Sequence, residues 1–239
     1  MSGFWNGKRV LITGHTGFKG SWLSLWLNSL GADVAGMALT PDTTPALFDQ
    51  LGLEALVDHM IGDVRDADLV ARRVVEVQPD VIFHLAAQPL VVESYATPLE
   101  TWQTNVMGSA HVMEAVRRLS GRCAIVMVTT DKVYENFEDG KPYDEQHPLG
   151  GYDPYSASKA AMEIAVASWR RSFLGETDSR MASVRAGNVV GGGDWAANRI
   201  VPDIVRALSR GEMIEVRNPD ALRPWQHVLE PLAGYLALA

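Results

Sequence analysis

A glycine-rich segment near the N-terminus constrains the fold more than any other feature of the sequence. The apolar run Arg9–Thr13 is typical of a buried strand, and Gly14, Gly17 and Gly20 follow it at three-residue spacing before an amphipathic segment. Glycines let the backbone approach a pyrophosphate closely, and the free N–H groups and dipole of the next helix favour its charge. The segment therefore predicts a dinucleotide-binding turn, with Phe18 among the contacts.

The rest of the chain alternates short apolar runs with longer amphipathic segments, which indicates βαβ units around a parallel sheet. We predict strands at residues 9–13, 33–38, 59–61, 81–85, 124–128 and 181–186, and helices at residues 18–30, 68–78, 98–119, 155–173 and 200–210. Thr97 and Glu100 have the spacing of a capping box for the third helix. The pattern is typical of an α/β fold with a Rossmann-type, doubly wound parallel sheet.

The alternation weakens after residue 185, where glycine-rich and mixed segments follow. We predict a dinucleotide-binding domain over residues 1–185 and a smaller, apparently incomplete substrate-binding region over residues 186–239. An apparent helix from near Pro231 runs to the last residue.

Composition argues against several classes of function. The net charge of −8, without a basic stripe, argues against nucleic acid and against anionic membrane surfaces as partners. A single cysteine, Cys123, excludes an internal disulfide, and the six histidines lack metal-ligand spacing, so no metal is expected. The N-terminus has no signal-peptide pattern and no apolar run has membrane-spanning length, so we expect a cytoplasmic protein.

The residues after the glycine turn bear on the choice of cofactor. Between residues 20 and 64 there is no Lys or Arg that could bind the 2′-phosphate of NADP, so NAD is favoured by elimination, although the second strand lacks the usual terminal acid. Asp63, with Val64 beside it, ends the third strand and could accept a hydrogen bond from adenine. A turn-forming role before a helix capped by Asp66 fits Asp63 equally well.

Tyr155 and Lys159 stand four residues apart on a predicted helix, so both project from one face. A cation about 4 Å from a phenol, at an effective dielectric of about 20, favours the phenolate by about 4 kcal/mol, or about three pKa units. We therefore expect Lys159 to lower the pKa of Tyr155 toward neutrality, where the phenolate can accept the proton of a hydroxyl.

Asp131 and Lys132 stand side by side just after the apolar run Ala124–Val128. They are either a surface ion pair or an acid and a base that act on a substrate. Adjacent opposite charges favour the charged pair, in which the acid has lost its proton and the base has kept one. Acid–base chemistry therefore requires strong desolvation or further positive charge near Lys132.

Taken together, the segments TGHTGFKG, GDVRD, HLAAQ, NVMGS, TTDKVYE, YSASK and RAGNVVGGGDW resemble the extended short-chain dehydrogenase/reductases that modify nucleotide sugars. The resemblance runs from about Arg9 to the end of the chain. Within that superfamily, GHTGFKGSWL, the Asp-Lys form of TTDKVY and LRPWQHVLEPLAGYL are most similar to the 4,6-dehydratases that act on CDP-glucose. Dehydratases of other nucleotide sugars typically have glutamate at the position of Lys132.

The resemblance implies a lyase that removes water from CDP-glucose through an internal redox cycle of bound NAD, in deoxysugar biosynthesis for a bacterial surface polysaccharide such as the O-antigen of lipopolysaccharide. It implies that Tyr155, with Lys159, takes the proton of the sugar 4-hydroxyl. Asp131 would protonate the departing 6-hydroxyl, Lys132 would remove the C5 proton and Thr130 would orient the glucosyl group.

The same resemblance implies further contacts to the two ligands. Those to the cofactor are Ala86, Ala87, Gln88 and Asn105, and those to the sugar nucleotide are Asn188, Trp195, Arg199 and Arg223. A solvated surface position is equally open for the two arginines. The resemblance also implies a homodimer formed through the helices at residues 98–119 and 155–173.

Three alternatives remain open at the level of sequence. A nucleotide-sugar 4-epimerase would share the glycine turn and the Tyr155–Lys159 pair but does not need Asp131 and Lys132. A non-catalytic NAD-binding sensor has no use for Tyr155 and Lys159 together. An inactive fragment, lacking part of the sugar site, is the third.

Overall fold

Eight strands and their pairing define the architecture of the described residues, which are 2–137, 140–216 and 219–239 in this computed structural model. In chain order they are β1 (Arg9–Thr13), β2 (Asp33–Ala38), β3 (Asp58–Ile61), β4 (Val81–His84), β5 (Ala124–Val128), β6 (Arg180–Val184), β7 (Asn188–Val190) and β8 (Trp225–His227). The first six form one parallel sheet in the order β3-β2-β1-β4-β5-β6, and β7 pairs in parallel with β8. This order confirms the predicted doubly wound fold, whose ligand crevice opens at the carboxyl ends of β1 and β4.

The helices that connect these strands in the described ranges vary from one turn to five. They are α1 (Ser2–Trp5), α2 (Phe18–Ser29), α3 (Leu47–Gln50), α4 (Ala67–Val77), α5 (Val91–Ala96), α6 (Pro98–Trp102), α7 (Gly108–Val116), α8 (Pro154–Ser172), α9 (Ile200–Arg210) and α10 (Leu229–Leu238). A π turn, Gln103–Met107, joins α6 to α7, and a 3₁₀ turn, Asp131–Val133, follows β5. In the part of the chain that the structure describes, no helix combines the length and apolarity needed to cross a membrane.

Both faces of the main sheet are buried, as a parallel sheet requires. Side chains of β1 alternate between the two cores: Leu11 packs with α4, α7 and α8, whereas Val10 and Ile12 pack with α2 and α10. The second core includes Leu232 of α10 beside Phe83 of β4. Helix α10, from the second predicted region, therefore packs within the core that includes residues of the first, and the boundary at residues 185 and 186 stays a prediction.

The predicted third helix, residues 98–119, differs from the structure in two ways. It is divided into α6, the π turn and α7. The predicted capping box is wrong, because Thr97 directly follows α5 and its hydroxyl donates to the carbonyl of Glu93. The Glu100 carboxylate instead pairs with Arg65 at 3.0 Å. The short helices α1, α3 and α5 and the strands β7 and β8 were not predicted. The other predicted elements that correspond to observed ones differ at their ends by at most two residues.

His15, between the first two glycines of the turn, is fully buried against β2. Its Nε2 lies 2.6 Å from Nδ1 of His59, and burial, followed by the proximity of His59, lowers the pKa of His15 to about 4. The imidazole covers Gly36 so closely that a Cβ at Gly36 would lie 2.4 Å from the ring. The glycine turn can therefore lie close to β2 because residue 36 has no side chain.

Candidate active site

The glycine turn lies directly against the end of β4. Gly14 has a φ of +79°, and a Cβ at this position would lie 2.7 Å from the backbone nitrogen of Ala86, which Ala87 follows. Helix α2 begins after Gly17, beside the same crevice, and no side chain caps its N-terminus. The helix dipole therefore favours negative charge at this point. Gly20 is buried on α2, and a Cβ there would overlap the Gly14 carbonyl. This arrangement leaves bare backbone where a pyrophosphate would approach.

Of the predicted cofactor contacts, Phe18 lies at the start of α2, whereas the carboxylate of Asp63 is already bonded to another residue. Phe18 is half-buried at the start of α2, beside Gly191. Both carboxylate oxygens of Asp63 accept hydrogen bonds from Arg65, at 2.6 to 2.8 Å. Burial raises the pKa of Asp63, but these bonds outweigh it and lower the pKa overall. The turn-forming role therefore has direct structural support, and the contact of Asp63 and its buried neighbour Val64 with adenine stays a prediction.

Asn105 lies in the π turn and holds the segment after β4 in place. Its Oδ1 accepts the N–H of Gln88 at 2.8 Å, and its Nδ2 donates to the Gln88 carbonyl at 3.1 Å and to Ser158 Oγ at 2.9 Å. Asn105 is fully buried, so in this structure it supports the predicted cofactor contact Gln88 instead of facing the crevice itself. A π turn widens the helix locally and is often found at functional sites.

The N-terminal half of α8 places Tyr155 and Lys159 at the carboxyl edge of the sheet. The helix begins at Pro154, and the Asp153 carboxylate caps it by accepting the N–H of Ser156 at 2.9 Å. Tyr155 is buried, with its side chain in a hydrogen bond with that of Thr130. Lys159 is also buried and its Nζ donates to the carbonyl of Val128, the last residue of β5, at 3.0 Å.

Burial dominates the ionisation of this pair. It raises the pKa of Tyr155, and the hydrogen bond with Thr130 only partly opposes that shift. Burial, followed by the charge of Lys19, lowers the pKa of Lys159 to about 7. The expected lowering of the Tyr155 pKa by Lys159 is wrong for this arrangement, because desolvation outweighs the attraction of any nearby cation.

Asp131 and Lys132 form the 3₁₀ turn after β5 and face the other candidate residues. Lys132 Nζ lies 3.1 Å from Asp131 Oδ1 and 3.3 Å from Oδ1 of Asn188, the predicted substrate contact on β7. Thr130 Oγ1 donates to Asp131 Oδ1 at 3.2 Å. Asp131 also lies close enough to Tyr155 to raise its pKa. The pair is half-buried between β7 and α8, which disfavours the interpretation as a solvated surface ion pair.

Lys19, the second residue of α2, is a site residue that the sequence interpretation did not assign. Burial, followed by the charge of Arg199, lowers the pKa of Lys19 to about 8, and Asp131 and Lys132 also act on it. Lys19 therefore adds positive charge beside Lys132, as the acid–base interpretation requires. A signal was present in the sequence, because a lysine in the first turn of a helix opposes the helix dipole and needs a compensating reason.

Three predicted substrate contacts after β7 have different surroundings. Arg199 pairs with Asp194 at 3.0 Å and lies within electrostatic range of Tyr155 and Lys19. Trp195 has a buried indole N–H that has no hydrogen-bond partner in the described part of the chain. Arg223 is exposed and its guanidinium donates to the neighbouring carbonyl of Leu222. The structure brings Arg199 to the candidate site, whereas within the described ranges no hydrogen bond or ion pair joins Arg223 to the other candidate residues.

A six-stranded sheet of this order, with a glycine turn after β1 and a buried tyrosine four residues before a buried lysine, defines an extended short-chain dehydrogenase/reductase. Comparisons with known proteins identify one family within this class. Residues 11–238 match the family described as GDP-mannose 4,6 dehydratase. The chain therefore belongs to this 4,6-dehydratase family.

Relatives named as dehydratases support the assignment. A CDP-glucose 4,6-dehydratase of Salmonella typhimurium is 50% identical over 241 residues, which cover 99% of this chain and 67% of that protein. A dTDP-glucose 4,6-dehydratase of Mycobacterium tuberculosis is 33% identical over 168 residues, 69% of this chain and 50% of that protein. This chain thus spans two thirds of the first relative's length and half of the second's.

Among solved structures, the double mutant of DesIV, a dTDP-glucose 4,6-dehydratase from Streptomyces venezuelae with NAD and DAU bound, has a TM-score of 0.80. Its sequence is 27% identical, and the match covers 95% of this chain and 70% of that one.

Proposed function

We propose that this protein removes water from CDP-glucose to give CDP-4-dehydro-6-deoxyglucose, through an internal redox cycle of bound NAD. The observation that carries the proposal is the position of Asp131 and Lys132, which face Tyr155 and Lys159 at the carboxyl edge of the sheet. The 50% identity to a protein named CDP-glucose 4,6-dehydratase supports the choice of nucleotide and sugar.

The crevice between β1 and β4 fits a dinucleotide, because Gly14 and Gly20 leave no Cβ between the turn, β4 and α2. The turn residues 14–20 would hold the pyrophosphate, Ala86, Ala87 and Gln88 would lie along the cofactor, and Lys159 would hold its nicotinamide end. Bound NAD⁺ would accept hydride from sugar C4, return it to C6 and place a positive charge beside Tyr155.

Each acid–base step has a group in place. Tyr155 would take the proton of the 4-hydroxyl in its phenolate form. Because burial raises the pKa of Tyr155, this step depends on the positive charge that bound NAD⁺ would place beside it. The 4-ketone then acidifies C5–H, Lys132 takes that proton and Asp131 gives its proton to the 6-hydroxyl, which leaves as water. Lys132 returns the proton to C5 when C6 is reduced.

The charged resting pair can reach the protonation state that this chemistry needs. Transfer of one proton across the 3.1 Å contact from Lys132 to Asp131 gives a neutral amine and a neutral acid. Desolvation by the bound substrate would favour that neutral pair, and Lys19 lies close enough to add positive charge beside it. The proton that Tyr155 gains would return to Asp131 through Thr130, whose hydroxyl donates to Asp131 Oδ1 at 3.2 Å and lowers the pKa of the neighbouring Tyr155.

Incubation of the protein with NAD⁺ and separate nucleotide-glucoses tests the proposal. Mass spectrometry is expected to show loss of one water from CDP-glucose and no comparable change in the UDP, dTDP or GDP sugars. A product of unchanged mass that is the 4-epimer would overturn the dehydratase in favour of the epimerase. Tight NAD binding without turnover of any sugar would favour the sensor or the inactive fragment.

A homodimer is part of the proposal. Large apolar side chains are exposed along the helices at residues 98–119 and 155–173, and such patches often mark protein interfaces. They are Leu99, Trp102, Met107 and Ile164. The cytoplasmic location and the place in O-antigen biosynthesis stay predictions.

A further inference from the structure

Three successive turns of α8 contact the carboxyl end of β5, and the predicted chemistry uses only two of them. Tyr155, Lys159 and Glu163 share one face of the helix because they are four residues apart. The contacts are the Thr130 hydroxyl with Tyr155, Lys159 Nζ with the Val128 carbonyl at 3.0 Å, and Thr129 Oγ1 with Glu163 Oε1 at 2.6 Å. Residue 163 thus holds the same strand end as the two reactive side chains.

Arg185 completes the bonding of the Glu163 carboxylate. Its Nε donates to Oε1 at 2.8 Å and its Nη2 donates to Oε2 at 2.5 Å. The side chain of Arg185 is only 16% exposed and that of Glu163 only 6%. A bidentate pair of this kind is directional, and removal of one partner leaves a desolvated charge.

The backbone on either side of Arg185 holds the turn that carries Asp131. The N–H of Thr129 donates to the carbonyl of Val184 at 2.8 Å, and the N–H of Asp131 donates to the carbonyl of Ala186 at 3.1 Å. Because Arg185 lies between these two acceptors, its side chain ties their backbone to α8. The guanidinium also lies over the ring of Tyr134, with its carbon 4.7 Å from the ring centre.

We propose that Glu163 and Arg185 are positioning residues that set the distance between α8 and the Asp131–Lys132 turn. The inference rests on the proposed function, because that chemistry divides between the two elements. The oxidation at C4 uses α8, whereas the elimination uses the turn. An error of about 1 Å between elements that act on one sugar ring is enough to slow a step by about 100-fold.

Glu163→Gln tests the proposal, because it keeps the shape of the side chain but removes its charge. The matched control is Glu76→Gln, which removes an exposed carboxylate paired with Arg73 on α4 at 3.3 Å. Single-turnover absorbance of reduced nicotinamide follows the two parts of the reaction, since it rises with C4 oxidation and decays after elimination. We expect Glu163→Gln to leave the rise within about threefold of the wild type and to slow the decay at least about tenfold.

Hydrogen exchange provides a readout that does not require turnover. The amides of Thr129 and Asp131 are bonded to the strand that carries Arg185, so Glu163→Gln is expected to increase their exchange at least about tenfold. Peptides from β1 are expected to exchange as in the wild type, and Glu76→Gln is expected to change neither region. Arg185→Lys keeps the charge but loses the bidentate geometry, so its effects are expected to be intermediate.

Three results would overturn the positioning role. They are an equal slowing of rise and decay, a normal decay, and unchanged protection of residues 129–131 in Glu163→Gln. If wild-type protein removes no water from CDP-glucose, the proposed function fails on its own, and the exchange measurement still decides whether Glu163 and Arg185 fix the turn.

Discussion

At the scale of single residues, burial is the main influence on the pKa values of the lysines in this site. Two lysines, Lys19 and Lys159, have pKa values lowered to about 8 and about 7, with burial as the largest cause in both. Lys132 shares the same region and contacts Asp131 directly. Burial therefore brings the pKa values of Lys19 and Lys159 toward neutral pH at the edge of the sheet where Asp131 and Lys132 lie.

The role of Asp131 as the acid gives a direct prediction. Asp131→Asn keeps the size of the side chain but cannot deliver a proton, so kcat for loss of water from CDP-glucose is expected to fall about 10²- to 10⁴-fold. NAD binding, measured by calorimetry, is expected to stay within about twofold of the wild type. Asp33→Asn, an exposed change at the opposite edge of the sheet, is the matched control. Dehydration at the wild-type rate in Asp131→Asn would contradict the assignment.

The lowered pKa of Lys159 predicts a pH-dependent stability. Between about pH 7 and 10.5 the unfolded chain binds this proton and the folded chain does not, so the stability of the wild type rises with pH across that window. Lys159→Met has no such group. Its stability relative to the wild type is therefore expected to be highest at or below pH 7 and to decline toward pH 10.

Urea unfolding at pH 6.5, 8 and 9.5 would measure this difference, which is on the order of a few kcal/mol across the window. Lys8→Met, outside the site near the N-terminus, serves as the matched substitution. A difference between Lys159→Met and the wild type that stays constant with pH would show that Lys159 keeps its usual pKa when folded.

Sequence reasoning found some residues of the site and missed others for a physical reason. Tyr155 with Lys159, and Asp131 with Lys132, are close in sequence, so their spacing, together with the glycine turn and the family resemblance, suggested cooperation. Glu163 and Arg185 are 22 residues apart, and their pairing depends on how α8 packs beside β6. Local spacing cannot reveal such a contact.

At the scale of elements, the glycine turn joins β1, β4 and α2 at a single point. Gly14 and Gly52 both have positive φ, but a Cβ at Gly14 meets the backbone of residue 86, whereas nothing lies within 4 Å of one at Gly52. We expect Gly52→Ala to cost about 1–2 kcal/mol for its backbone conformation. Gly14→Ala is expected to cost about 1–3 kcal/mol more, because the turn must move away from β4.

Unfolding by denaturant and calorimetric titration with NAD⁺ would test this pair of variants. Only Gly14→Ala is expected to weaken NAD binding, by at least about tenfold, since its turn borders the crevice. Equal stability losses in the two variants, with normal NAD binding in both, would contradict the close approach of the turn to β4.

The strands were easier to predict than the helix at residues 98–119. Strands such as β1 and β5 are continuous apolar runs bounded by polar residues, and their ends were predicted without error. The helix has the periodicity of one long element, but tertiary contacts divide it. Asn105 bonds Gln88 and Ser158 from within the π turn, and neither partner is near it in sequence.

At the scale of the whole molecule, the exposed apolar side chains of α6 and α8 predict self-association. Leu99 and Ile164 are 79% and 62% exposed, so Leu99→Glu combined with Ile164→Glu is expected to convert a dimer into a monomer. Light scattering after size exclusion would measure the mass. Leu56→Glu, an exposed apolar position away from both helices, is the control and is expected to remain dimeric. A wild-type chain that is monomeric would contradict the prediction.

The ring of His15 occupies the space beneath the cofactor crevice that a side chain at residue 36 would otherwise fill. Among homologous chains, we therefore expect these two positions to vary together, so that a methyl group at 36 accompanies a smaller residue at 15. A chain that combined both groups would have to separate the turn from the second strand. The floor of the crevice would then open, although every residue that lines the crevice was unchanged.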